Sequence, residues 1–268
     1  MADALTPEIT TDRATVYRST WRDLAATLPT NMDGASLAIV DGPYNMRKAD
    51  WDTFRDWEHF RDWYRPELEE LTRVLDTSAN VYLWGTDTSA SALRPLMAEL
   101  GWRRRTRVIW DKGSPASAIG WAAIGDYADS TEVADRYTRG EPPFQVLNAA
   151  ATRNIWRYST KALSIDKLKT GRLLPNRIPG RGPEAETLHP CQKPLAFYDR
   201  LIRSSSRPGD TVLEPYGGTL RAAVACHRLP PSEARRAIVC EPHGPYIEAV
   251  RPSLEWVPPT VDGLGLFG

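Results

Sequence analysis

At 268 residues the chain is long enough to bury one large α/β core, with or without an inserted lobe. Its 34 basic and 34 acidic residues cancel, so net charge gives no global reason to expect a nucleic acid; any such affinity has to come from local patterning. No apolar run approaches a membrane span, the N-terminus has no secretory pattern, and Cys191, Cys226 and Cys240 are too few for a disulfide framework. These features predict a cytoplasmic protein with reduced thiols and no membrane partner.

Residues 1–13 are polar and unpatterned and read as a flexible N-terminus ahead of one domain spanning 14–268. Ala14 to Arg18 reads as a strand, and Ser19-Thr20 as the cap of a short helix running through Leu28. Ser36 to Val40 is a short apolar run that stops at Asp41-Gly42-Pro43, where proline cannot continue a ladder. That predicts a buried parallel strand with Asp41 at its carboxyl end. Phe60, Trp63, Tyr64, Leu68, Leu71, Val74 and Leu75 form a helical stripe, whose aromatics are read as core. Val81 to Trp84 is the next strand, Leu93, Leu96, Met97 and Leu100 mark a helix, and Arg107 to Trp110 is another strand. Alternation at these lengths predicts a Rossmann-like, doubly wound, mostly parallel sheet with helices on both faces.

From Asp111 to Tyr127 the chain is rich in Gly, Ala and Ser and reads as a loop or lid; Thr131 to Tyr137 is one more strand. Past Pro142-Pro143 the pattern weakens until a helix at Leu195. Within that stretch, Thr152 to Pro183 carries Arg153, Arg157, Lys161, Lys167, Lys169, Arg172, Arg177 and Arg181 against the single acid Asp166. Taken alone, such a run is more often a solvated basic loop. This one also contains Trp156, Tyr158, Asn154 and Asn176, and phosphates call for Lys and Arg while base edges call for amides and guanidinium groups.

The most informative stretch follows. Thr211-Val212-Leu213 is a buried strand fed by the turn Pro208-Gly209-Asp210, and Gly217-Gly218 bends the chain into a helix. Glu214 therefore falls at a strand's carboxyl end, where open α/β sheets bind ligands, and a glycine bend lets a ligand approach the backbone. Ala237 to Cys240 is a second apolar strand ending in an acid, Glu241, placed to accept hydrogen bonds from both hydroxyls of a ribose. Cys226-His227 with Cys240 and His243 offers metal-type side chains, but adjacent residues rarely point into one tetrahedron, so no zinc site is expected.

His189-Pro190-Cys191-Gln192-Lys193-Pro194 followed by Leu213-Glu214-Pro215-Tyr216-Gly217-Gly218-Thr219 resembles the cofactor half of the amino-group DNA methyltransferases. Those enzymes carry HP-x-QKP and then Asp-Pro-Phe-x-Gly-Ser-Gly. Asp41-Gly42-Pro43-Tyr44 is similar to their Asp-Pro-Pro-Tyr motif, and the motif order resembles their permuted beta class. The resemblance covers roughly residues 14 to 250. It implies the class I S-adenosylmethionine-dependent fold, with His189, Gln192, Lys193, Glu214, Pro215, Tyr216, Gly217, Gly218, Thr219 and Glu241 at the cofactor. It also implies that residues 152–186 are a target-recognition segment on double-stranded DNA, that the protein is nucleoid-associated, and that a homodimer or a restriction partner is compatible with the class.

An exocyclic amino nitrogen is a poor nucleophile because its lone pair is delocalised into the ring. A carboxylate and a main-chain carbonyl that accept its two N–H bonds turn that lone pair toward the methyl donor. By resemblance Asp41 and Gly42 supply these groups, Pro43 stiffens the loop and Tyr44 stacks on a flipped base, with adenine N6 favoured over cytosine N4. Cytosine C5 chemistry would need a thiolate. Cys191 lies in the HP-x-QKP segment rather than after a strand facing substrate, and reads as a loop or buried thiol.

The chain departs from the pattern at four places: Gly42 for proline, Glu214 for aspartate, Leu220 for the last glycine, and Arg221 near a helix start, where a cation is unfavourable without a partner. These departures keep open a second expectation, a catalytically silent DNA-binding subunit of the same fold.

Overall fold

The computed structural model describes residues 5–47, 49–113, 127, 129–148, 152–158 and 192–255. Nine strands form one sheet: β1 (Ile9–Thr10), β2 (Ala14–Tyr17), β3 (Leu37–Val40), β4 (Ala79–Gly85), β5 (Arg103–Asp111), β6 (Thr131–Arg139), β7 (Ile155–Arg157), β8 (Thr211–Glu214) and β9 (Arg236–Cys240). The helices are α1 (Trp21–Ala25), α2 (Trp57–Val74), α3 (Asp87–Glu99), α4 (Leu195–Ser205), α5 (Arg221–Arg228) and α6 (Gly244–Glu255). Strand order is β1-β2-β9-β8-β3-β4-β6-β5-β7.

β2, β9, β8, β3 and β4 run parallel. β6 is antiparallel to both β4 and β5, and the short β7 is parallel to β5. The expected doubly wound sheet is therefore present with one reversed strand inside it. Side chains alternate between faces along each strand. Leu37 and Ile39 point into a layer with α4, α5 and α6, whereas Ala38 and Val40 point into a layer with α1, α2 and α3. Burial on both faces is why β3 reads as a continuous apolar run instead of an alternating one.

Local capping fixes the helix starts. Thr20 accepts from the Asp23 backbone N–H at α1, Asp56 from that of His59 at α2, and Thr86 and Ser89 form a reciprocal capping box at α3. The expected helix through Leu28 ends as an α-helix at Ala25.

Two expectations change. Ile9 and Thr10, within the segment read as a flexible terminus, form β1 against Val16 and Thr15, because Ile9 is buried and the Thr11 hydroxyl accepts from the backbone of Arg13 and Ala14 to close the turn. The weakly patterned stretch after Pro143 contributes β7, and α6 follows Glu241. Trp156, which lies within the basic run, is buried in the core with its ring 5.1 Å from that of Phe197 and the Arg200 guanidinium 4.2 Å above it.

β6 is anchored by Asp135, whose fully buried carboxylate accepts from Arg107 Nε at 2.8 Å, Arg104 Nη2 at 2.9 Å and Arg94 Nε at 3.0 Å. Burial opposes the charge, but the three arginines outweigh it and hold the Asp135 pKa at about 2. Because this is below the unfolded value, its stabilisation is complete above about pH 4 and is lost as pH falls through about 2. Asp135→Asn is expected to lower unfolding free energy at pH 7 by about 2 kcal/mol. In chemical denaturation the gap from wild type should close toward pH 2; a gap independent of pH would mean that the carboxylate's charge is not what matters.

Candidate active site

Parallel strands deliver their carboxyl ends to one edge of the sheet, and the acids follow. Asp41 comes directly after β3, Glu214 ends β8 and Glu241 comes directly after β9. Because β6 is reversed, it delivers its beginning to that same edge, so Glu132 joins them, close to the paired Gly85 and Val133. A cavity of about 900 Å³ opens there, lined by Asp41 to Tyr44, Gln192, Lys193, Pro215 to Thr219, Arg221 and Glu241, with Met46 and Trp51, both partly exposed, also in its wall.

The catalytic-type loop is held from several sides. Lys193 Nζ lies 2.9 Å from both Asp41 oxygens and 3.0 Å from Glu132 Oε2, while Lys112 Nζ lies 2.7 Å from Glu132 Oε1. Lys112, Glu132, Lys193 and Asp41 thus form a row of alternating charge, with Lys193 only 1% exposed and 5.2 Å from the Tyr44 ring centroid. Burial raises the Asp41 pKa above the usual range even though Lys193 opposes it. At Glu132 burial acts in the same direction but the two lysines prevail, and its pKa is lowered. The Tyr44 hydroxyl donates to Asp41 Oδ1 at 2.5 Å.

Two residues that the sequence did not single out for the site shape this loop. Asp52 is buried and accepts from three successive backbone N–H groups, those of Tyr44, Asn45 and Met46, at 2.6, 2.8 and 3.0 Å. Tyr64, read only as core, donates its hydroxyl to the Pro43 carbonyl at 2.9 Å. The same hydroxyl explains Gly42, since a Cβ there would collide with Tyr64 Oη and lie 2.9 Å from Tyr216 Cε2. Glu132, Lys112 and Arg221 also belong to the site's surroundings, and nothing in their local sequence marked Glu132 as more than a strand residue.

On the other wall, Gly217 packs so closely on β9 that a Cβ would lie 2.6 Å from Val239 Cγ1 and 3.0 Å from the Cys240 carbonyl oxygen. Gly218 adopts φ +48° and donates its N–H to Glu241 Oε2 at 2.7 Å, while Glu241 Oε1 accepts from His243 N–H at 2.8 Å. Glu241 therefore ties the β8 turn to the β9 turn and keeps unused lone pairs on both oxygens. Burial raises its pKa. Gln192 is buried in the cavity wall, and both atoms of its amide head have no hydrogen-bond partner among the described residues. An orphaned amide, a turn too tight for side chains and a bridging acid fit an elongated polar ligand there.

Glu214 departs from expectation. Its side chain is fully buried and outside the cavity lining, and Oε2 accepts from the Ala222 backbone N–H at 3.0 Å, so it serves the N-terminus of α5. Burial pushes its pKa up to about 8, with the nearby Arg221 charge among the opposing influences. Leu220 holds the position just before α5 at φ +52°, a left-handed conformation, and is fully buried.

His189 and Cys191 lie outside the described residues, as do Lys161, Lys167, Lys169, Arg172, Arg177 and Arg181. Arg153 is exposed, and the exposed Arg157 pairs with Asp111 through Nε at 2.8 Å. Among the described residues no cluster of His, Cys, Asp and Glu is arranged to hold a metal ion, and no helix is long and apolar enough to cross a membrane. Burial raises the pKa of both Cys226 and Cys240.

Comparison with known proteins bears on the fold and the family. The Type II methyltransferase M1.MboII of Moraxella bovis is 26% identical over 235 residues, covering 79% of this chain and 85% of that protein. Among solved structures, the PvuII DNA methyltransferase (cytosine-N4-specific) superimposes with a TM-score of 0.72 at 16% identity, over 93% of this chain and 89% of that one. A complex of M1.HpyAVI with SAM gives 0.62 at 16% identity, over 91% and 100%. Residues 35–251, most of the chain, match the family model for N6/N4 methyltransferases, described as DNA methylase, and the chain belongs to that family.

Proposed function

We propose that the protein transfers a methyl group from S-adenosylmethionine to an exocyclic amino group of a flipped DNA base, adenine N6 in preference to cytosine N4. The observation that carries this reading is that the Asp41–Tyr44 loop, the Gly217–Gly218 turn and the orphaned Gln192 amide share one cavity. The M1.HpyAVI complex contains SAM, which supports the cofactor assignment. When bound, the cofactor supplies an electrophilic sulfonium methyl.

The chain's own residues do the rest. Glu241 accepts from the ribose hydroxyls through its remaining lone pairs, and Gln192 gains the partners it lacks. Asp41 and the Gly42 carbonyl accept the two amino N–H bonds, which localises the nitrogen lone pair. A carboxylate whose pKa is raised by burial is a stronger base than an ordinary aspartate, so Asp41 is suited to take the proton that nitrogen loses as its N–C bond forms. Tyr44 exchanges its hydrogen bond to Asp41 for stacking on the base, beside Trp51 at the cavity wall. The preference for adenine rests on Asp41, where serine is common in the cytosine enzymes resembled. The basic segment 152–186 is proposed to contact the duplex.

The direct test incubates the protein with isotopically labelled S-adenosylmethionine and unmethylated DNA, then identifies the labelled nucleoside. Label in N6-methyladenine is expected. Label in N4-methylcytosine would correct the base, and no label together with no calorimetric cofactor binding would replace the enzyme with a silent DNA-binding subunit.

Asp41→Ala should cut transfer by about 10³-fold or more, the scale of removing a preorganised transition-state contact. Cofactor affinity measured by calorimetry should survive, and transfer at the wild-type rate would remove Asp41 from the chemistry.

Tyr64→Phe removes one neutral hydrogen bond worth about 0.5–1.5 kcal/mol, so kcat should fall up to about tenfold. Gly42→Ala should harm activity less in that background than in wild type, because the colliding hydroxyl is gone. Equal effects in both backgrounds would mean that the two positions are not coupled.

A further inference from the structure

A second cavity, of about 300 Å³, lies at the opposite edge of the sheet, lined by Arg103, Arg105, Arg136, Arg139, Glu141 and Phe144 among others. It is remote from the catalytic loop. Along β6, Arg139 is seven positions beyond Glu132, which at strand rise is about 23 Å.

The arginines differ in how they are satisfied. Arg139 donates to the carbonyls of Thr72, Leu75 and Asp76, so it is engaged in capping the C-terminus of α2. Arg136 has no carboxylate partner among the described residues. Its Nε and Nη2 both donate to Asn80 Oδ1, at 3.0 and 2.9 Å, and its guanidinium stacks 3.9 Å from the centroid of the half-exposed Phe144 ring. Asn80 is in turn fixed by donating to the carbonyls of Pro143 and Ser205. Arg136 is thus only 8% exposed and locked in place, and its Nη1 has no acceptor among the described residues.

Arg103 and Arg105 are exposed and have no ion-pair partner among the described residues, in contrast to Arg104 and Arg107, which are taken up by Asp135. Glu141 is the lining's single acid, and it forms no salt bridge with any of the four. A fixed, nearly buried guanidinium facing two more cations is costly unless an anion completes it. Burial and the like charge of Arg105 both depress the Arg136 pKa, in line with an uncompensated cluster. Planar guanidinium forks match the oxygens of phosphate.

We infer that this cavity is a phosphate-binding site, separate from the methyl-transfer site, in which Arg136 is the preset anchor and Arg103 and Arg105 close on the ligand. The phosphate belongs either to a nucleic-acid backbone or to a free polyphosphate, and the chemistry is common to both.

The test titrates the full chain with pyrophosphate and, separately, with a short DNA duplex, at ionic strength held constant with KCl, by calorimetry. The comparison is Arg103→Ala/Arg105→Ala, whose side chains form no hydrogen bond or ion pair among the described residues; an unchanged melting temperature without ligand checks that the fold is kept. Expected is saturable binding that weakens at least tenfold in the double variant. Weakening for pyrophosphate assigns a free polyphosphate. Weakening for the duplex alone, with a salt slope reduced by about one per lost arginine, assigns a nucleic-acid backbone. Equal affinities for both ligands in both proteins, or no binding of either, would overturn the inference.

Discussion

Lys193 is a cation almost wholly removed from water, held between Asp41 and Glu132. A buried charge is tolerated only when it is paired and well hydrogen-bonded, and here two anions face one cation until Lys112 restores neutrality at the far side of Glu132. That row binds together segments distant in sequence: the loop after β3, the end of β5, the beginning of β6 and the residue pair before α4. Breaking any link leaves an uncompensated buried charge, so the geometry of the catalytic-type carboxylate is coupled to the integrity of the sheet.

The reversed strand has its explanation here. Five parallel strands can bring only their carboxyl ends to the ligand edge, whereas an antiparallel strand brings its amino end. β6 can therefore place Glu132 beside Lys193 while Asp135 and its three arginines pin the strand's middle, and its far end carries Arg136 and Arg139 to the opposite rim. One strand serves two edges of the molecule.

Much of this was legible in the residues. The apolar runs at 37–40 and 211–214, each stopped by an acid and a proline or glycine bend, read as buried strands; the structure pairs them side by side, and Asp41 and the Gly217–Gly218 turn, both singled out by motif, line one cavity. Strand direction was not legible, because an alternating or apolar run looks the same read in either sense. Nor were Asp52 and Tyr64: their local patterns are those of a turn acid and a core aromatic, and only the folded loop brings them to the backbone of residues 43–46. The burial of Trp156 was not legible either, because a tryptophan in a basic run carries no mark of the side on which the strand places it.

The departures from the family pattern become intelligible as exchanges of space and charge. Proline at position 42 would need the volume that Tyr64 and Tyr216 occupy, and Tyr64 supplies by hydrogen bond some of the stiffness that a proline ring would have given. Glu214, one methylene longer than aspartate, reaches under the turn to the Ala222 N–H, and its carboxyl also lies within electrostatic reach of Arg221, which is otherwise badly placed at a helix start. Leu220 sits in a left-handed conformation that costs a non-glycine residue roughly 1–2 kcal/mol. Its side chain is fully buried, and burying a leucine returns about 1.5–3 kcal/mol. A glycine there would avoid the strain and forgo the burial, so the two effects are of similar size and opposite sign.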